Sequence, residues 1–161
     1  MLVEKVQTLD WVESETANEA PTMSKNHSRI SHRLNVLLSK YEDQYEIMPE
    51  FDIELSSGKV RPDIAICAKG MTFNWWKDEI WSKEVPISVI EILSPTQPLD
   101  DIVQKTTDTF FVGGVKSAWL ILPSLQSIYI ITADRQRVGY TEGEFTDPVT
   151  GITLRVEDVF R

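Results

Sequence analysis

Two acids in this sequence fall where a charge is costly. Asp63 follows Pro62 at the head of an apolar run, and Glu91 interrupts the run from Ile87 to Leu93. An ionised carboxylate in a buried strand needs a cation or hydrogen bonds to offset its desolvation. Two carboxylates brought together on neighbouring strands repel, and a divalent metal between them removes that repulsion. Such a metal polarises a phosphoryl oxygen and helps to generate hydroxide from water, the chemistry of phosphodiester hydrolysis. Taken singly, each acid also has a structural reading. Asp63 can be a turn residue paired with Arg61, and Glu91 can be half of a buried ion pair.

The elements that must position these acids follow from periodicity. Ile30, Leu34, Leu37, Leu38 and Tyr41 recur at helical spacing and predict a helix over 25–42, capped by Ser24 or Asn26. Tyr45, Ile47, Phe51, Ile53 and Leu55 then alternate with Glu46, Met48, Glu50, Asp52 and Glu54, which predicts a half-buried strand. Pro49 inside it marks an edge or an irregularity. The turn 56–59 leads into a second strand, Val60 to Cys67, and the two are expected to form a hairpin. Ile87 to Leu93 is apolar on both faces, as a central strand is. Asp100 or Asp101 is expected to cap a second helix reaching Val112, with Gly113-Gly114 as its stop. Ser117 to Leu122 and Ser127 to Ala133 are further strands. A last hairpin around 141–144 and a short docking segment close the chain. The strand, helix, strand passage from Ile87 to Leu122 implies a parallel pair within an otherwise antiparallel meander. The expected class is α/β (α+β): a mixed sheet with helices on its faces.

Composition narrows the function. The chain has 161 residues, with 25 Asp and Glu against 16 Lys and Arg, a formal net charge of −9. That balance argues against a general polyanion binder but permits a local groove or a metal-holding acidic pair. Cys67 is the one cysteine, so no intrachain disulfide forms and no zinc spacing exists. No apolar run spans a bilayer, no signal-peptide pattern opens the chain, and a cytoplasmic location is expected. Residues 1–23 read as an acidic arm, pinned by Leu9 and Trp11, ahead of a domain over 24–161. Lys25, Arg29 and Arg33 form a basic stripe that can track a phosphate backbone or serve as a solvated face. His27 and His32 do not share a face well enough for a histidine metal site. Trp75, Trp76 and Trp81 lie in a charged excursion over 69–84, suited to a homodimer interface or to stacking on bases.

The motifs now on the page carry a resemblance. They are Pro49-Glu50, Arg61-Pro62-Asp63-Ile64, residues 74–79, Pro86 through Glu91-Ile92-Leu93-Ser94-Pro95-Thr96, Lys105, and residues 114–119. Together, over about 24–161, they resemble the PD-(D/E)XK nuclease superfamily and, more closely, its Uma-two family of restriction-endonuclease-like proteins. The resemblance implies a restriction-endonuclease-like core of helix, three strands, helix and strand. It also implies a DNA-cleaving, Mg²⁺- or Mn²⁺-dependent endonuclease. Asp63 and Glu91 would then be metal ligands, with the Ile92 carbonyl a third oxygen and Glu50 an accessory acid. The superfamily's lysine two residues after the glutamate is absent, since Leu93 stands there. The family's alternative is a lysine on the next helix, here Lys105, placed to orient water or offset charge on phosphate. Family members usually carry a tyrosine four residues after that lysine and a glycine eight after it. Here Thr109 and Gly113 occupy those places, with Phe110 and Gly114 one residue later. Two explanations are open: a local shift of the helix end, or Thr106 as the true counterpart. The latter would leave an inactive homodimeric scaffold or a nucleic-acid-binding protein.

Overall fold

Pro62 has no N–H to give to a ladder, so a strand begins after it and Asp63 stands at that strand's mouth. This punctuation recurs through the fold. The computed structural model describes residues 23–161; the expected arm, Leu9 and Trp11 included, lies outside the described residues apart from Met23. Helix α1 spans Lys25–Leu38 and continues into a 3₁₀ turn, Ser39–Tyr41. Ser24 is its cap, accepting the His27 N–H at 3.1 Å. The helix buries His27, Ile30, Leu34 and Leu38 along one stripe.

Ten strands follow: β1 Tyr45–Pro49, β2 Ile53–Leu55, β3 Gly58–Val60, β4 Ile64–Ala68, β5 Ser88–Ile92, β6 Ser117–Leu122, β7 Ser127–Thr132, β8 Arg137–Tyr140, β9 Glu144–Thr146 and β10 Thr153–Arg155. The main sheet has the order β1-β4-β5-β6-β7-β8. Only β5 and β6 run parallel within it. Every residue of β5 and β6 is buried, as two-face coverage requires. One face packs Ile64, Ile66, Ile90, Ile92, Trp119 and Ile121 under α1 and the short C-terminal helix α3, Val156–Val159. The other packs Ala65, Cys67, Val89 and Ala118 under β2, β3 and Phe110. The expected mixed α+β architecture is observed.

Three local expectations are corrected. The strand expected over 45–55 is two strands. Pro49 cannot extend the ladder, and Glu50 adopts a left-handed φ of 48° that turns the chain. Thus β1 stays in the main sheet against β4, while β2 leaves to pair with β3. The second helix is not capped by Asp100 or Asp101. Helix α2, Leu99–Gln104, starts at Pro98 without a side-chain cap, and the two acids sit in its first turn, where the helix dipole favours them. No hairpin joins the strands around 141–144. Instead β8 completes the main sheet and β9 pairs with β10.

Helix α2 passes directly into a π-helical segment, Lys105–Phe111. A π turn holds one residue more than an α turn, so positions five apart come over one another. Its end is fixed by glycine: a Cβ on Gly113 would lie 2.8 Å from Leu55 Cβ, and Gly114 takes a φ of 107°. Ser57 Oγ donates to the Thr109 carbonyl, occupying a group at the widened turn.

Candidate active site

The register of the sheet brings the two acids together. Ile64 on β4 pairs with Ile90 on β5. One step further along this antiparallel ladder, Asp63 stands opposite Glu91, on the face shared by Ala65 and Val89. Beyond the last strand pair the Asp63 side chain replaces the backbone ladder: its Oδ2 accepts the Ile92 N–H at 2.7 Å. The other oxygen, Oδ1, lies 3.2 Å from His27 Nε2, which α1 delivers from the opposite face. Glu91 is only 4% exposed, and its Oε1 receives Lys105 Nζ at 2.7 Å. The same ammonium lies 3.4 Å from the Arg61 carbonyl oxygen and 5.3 Å from the centre of the Phe110 ring. His27, Asp63, Glu91, Ile92 and Lys105 line a cleft of about 470 Å³, together with Arg61, Thr96 and Asp101.

The electrostatics follow from burial and neighbours. Burial, partly offset by Lys105 and reinforced by Asp63, raises the Glu91 carboxyl to about 7. The hydrogen bond to Asp63 raises His27 above its ordinary value despite the opposing effect of burial. The second ring nitrogen of His27, Nδ1, is buried without a hydrogen-bond partner.

The donor chemistry suits a hard divalent cation. Asp63 and Glu91 present carboxylate oxygens. In extended backbone a residue's N–H and C=O point to one edge, so the Ile92 carbonyl faces the side on which its N–H meets Asp63. Mg²⁺ is commonly held through one or two carboxylates and otherwise by water. Among the described residues no group of three or more His, Cys, Asp or Glu side chains is placed to hold an ion, so an ion here would rest on two carboxylates, a carbonyl and water.

The remaining sequence candidates are placed as follows. Glu50 is exposed and lies outside the cleft lining. Its backbone N–H donates to the Asp63 carbonyl at 2.9 Å, and its charge adds to the rise at His27. Leu93 gives its N–H to Ile121 O and supplies no cation. Thr106 is buried, with its hydroxyl on the Ile102 carbonyl, and does not reach the cleft. Lys105 faces Glu91, and the π segment sets Phe110, five residues on, beneath its ammonium. Of the basic stripe, Lys25 is exposed, whereas Arg29 donates to the Arg161 carbonyl and Arg33 to that of Asp158. The structure thus ties two of its three members to the C-terminal segment. Trp75 and Trp76 are 91% and 99% exposed, and Trp81 stacks under Lys59 Nζ at 4.8 Å, all away from the cleft lining. His27 was not legible as a site residue from its pairing with His32. The available signal was its spacing of three from Ile30, which puts it on the buried stripe.

A mixed sheet with acids at the meeting ends of an antiparallel pair, and a lysine on the following crossover helix, defines a restriction-endonuclease-like α+β fold. A crystal structure of a protein from Anabaena variabilis, described as a putative nuclease belonging to DUF820, has this fold. It matches with a TM-score of 0.72 at 20% identity, over 88% of this chain and 84% of that one. The chain belongs to the Uma2 family, described as putative restriction endonuclease, whose sequence model matches residues 11–159. Among curated proteins none matches. Family membership supports a nuclease acting on nucleic acid. No helix among the described residues is long and apolar enough to cross a membrane.

Proposed function

We propose that this protein is an endonuclease of the PD-(D/E)XK type that hydrolyses DNA phosphodiester bonds with Mg²⁺ or Mn²⁺. The observation that carries this reading is the 2.7 Å contact of Lys105 with Glu91, opposite Asp63 in the sheet register. Asp63 and Glu91 would hold the ion, with the Ile92 carbonyl beside them. When bound, the ion supplies Lewis acidity toward the phosphate and a lowered pKa for water. The chain's own groups do the rest. Ile92 N–H and His27 fix the two oxygens of Asp63, so the carboxylate is oriented before substrate arrives. Lys105 is a compact charge with three donors, aimed by the π turn and backed by Phe110. It orients the attacking water and offsets charge growing on the phosphate. Arg61 at the rim is held by Asp52 through bonds of 2.7 and 2.9 Å, and its position suits a flanking phosphate.

We assign residues 24–161 to the nuclease domain, with 1–23 as an arm. The protein acts as a homodimer in this reading, with Trp75 and Trp76 as anchors, since large exposed aromatics mark interfaces. A reducing, cytoplasmic setting suits Cys67, which is buried with its thiol pushed up to about 12 by burial.

A second reading has its own support. Asp63 and Glu91 each already have a cationic or ionisable neighbour, His27 and Lys105. That is how a metal-free scaffold would retain both acids. Calorimetric titration of Mg²⁺ and Mn²⁺ into wild type and Asp63→Ala decides between them. The nuclease reading expects a site in wild type that the variant lacks, with hydrolysis of DNA lost in parallel. No heat in wild type, with inert DNA, favours the scaffold.

A further inference from the structure

Beside the carboxylate cleft lies a second recess of about 230 Å³. Ser94 and Gln97 line both, so the two form one continuous surface. The recess sits outside the carboxyl ends of β5 and β6, the parallel pair of the main sheet. The chain leaving β5 passes along one side at 93–99, and the 3₁₀ turn leaving β6, Pro123–Leu125, along another. Ser24 and Asn26, at the start of α1, close the third. The crevice beyond the carboxyl ends of parallel strands is where open sheets receive ligands.

Its chemistry differs from that of its neighbour. The cleft carries Arg61, Asp63, Glu91, Asp101 and Lys105. Among the described residues, none with an ionisable side chain lines the recess. Its polar groups are amides and hydroxyls, notably Asn26, Gln97 and Ser124, set between leucines. Two of those leucines, Leu99 and Leu125, are 45% and 70% exposed, large aliphatic surface left in water. A phosphate entering here would meet no cation. An alkyl chain would bury the amides without partners. A flat, neutral group with apolar faces and a hydrogen-bonding edge satisfies both kinds of wall, and that is a nucleobase.

We infer that the recess receives an unpaired base of the strand whose phosphate lies over Asp63 and Glu91, so that the substrate is single-stranded or locally opened DNA. This rests on the nuclease reading above. A base inside a duplex stack cannot present its edge and both faces to a pocket; it must first be splayed out. Leucine walls and amide groups then distinguish a strand with bases from a bare sugar-phosphate chain of equal charge.

The test compares two probes by fluorescence anisotropy with the full chain, in EDTA so that no strand is cut. One is a single-stranded oligothymidylate. The other is a phosphodiester oligomer of the same length made of abasic tetrahydrofuran units. The expected result is binding of oligothymidylate about fivefold tighter, the worth of one or two net hydrogen bonds. The neutral double variant Asn26→Ala, Leu125→Ser abolishes that preference and leaves the abasic affinity in place. Equal affinity for the two oligomers overturns the inference, as does a preference that survives in the variant. If DNA hydrolysis with Mn²⁺ persists in either case, the nuclease reading stands without the base pocket. Failure to bind either oligomer, with no hydrolysis, removes both.

Discussion

Among the described residues two carboxylates are almost fully withdrawn from water, and they are held in opposite ways. Asp147 is 0% exposed. It accepts from Ser117 Oγ at 2.7 Å, Trp119 Nε1 at 2.9 Å and the Val149 N–H at 2.9 Å. Neutral donors from three places hold both its oxygens, and it ties the segment after β9 onto β6. Glu91 lies on the neighbouring strand and meets an ammonium at the wall of an open cleft. The neutral set is a fixed joint, since removing the acid strands buried donors and removing a donor leaves a buried carboxylate short of partners. The charged pair leaves Lys105 on a long stem at the cleft wall, and in the proposed nuclease that ammonium would turn toward a phosphate when an ion is bound. Burial alone thus does not distinguish the two acids; the kind of partner does.

The comparison can be broken at either end. The largest effect is expected for Lys105→Met, which lowers DNA hydrolysis by about 10²–10³-fold, as loss of one charge-stabilising donor does. Its far-ultraviolet circular dichroism should be that of wild type. Retention of full activity would mean that Glu91 and its ion pair are structural after all. Asp147→Ala should act in reverse: it strands the Trp119 N–H and costs about 2–4 kcal/mol in urea unfolding. Its specific activity well below the melting midpoint should remain.

A third prediction concerns pH. The Glu91 carboxyl is raised in the fold to about 7, above its ordinary value, so the native state binds an extra proton between roughly 4.5 and 7. Stability from that source falls as pH rises across this window. His27 is also raised, and its contribution, complete below about 6.5, is lost as pH rises through its folded value. Both shifts lower the melting midpoint between pH 5 and pH 8 in metal-free buffer, and Glu91→Gln should flatten the slope. Mg²⁺ present throughout should oppose the fall, because ligand carboxylates must be ionised to bind it. The smallest effect is expected for Arg29→Ala, at about 1 kcal/mol or less of stability for an exposed bond to a carbonyl. Oligonucleotide affinity should change by less than about twofold if Arg29 only holds the C-terminus.

Much of this was legible because burial leaves a period in the sequence. The unbroken apolar run at β6 and the glutamate interrupting β5 could be read as a central pair with a misplaced charge. Pro62 then put Asp63 at a strand mouth. What escaped was set by single residues acting through three-dimensional context. Glu50 in a left-handed turn splits a strand whose alternation runs on unbroken. His27 shares its stripe with Ile30 and Leu34, and only the fold shows that the first turn of α1 lies against Asp63. The strand after Gly143 pairs with β10, and its Phe145 packs edge-on against Trp119, a contact far away in sequence.

The widened turn between Lys105 and Phe111 has a consequence for comparing relatives. A π turn takes up one residue more than an α turn, so an added residue there would leave both ends of the helix in place against the sheet. Chains lacking that residue should run as plain α-helix between the same two anchors, the glutamate of β5 and the glycine at the helix stop. Aligning such a chain to this one without a gap shifts every position beyond the turn by one. The ungapped alignment pairs the wrong residue with Lys105 or with Phe110. A gap placed within 105–111 restores both pairs, which makes the position of a single gap a criterion for recognising the site elsewhere.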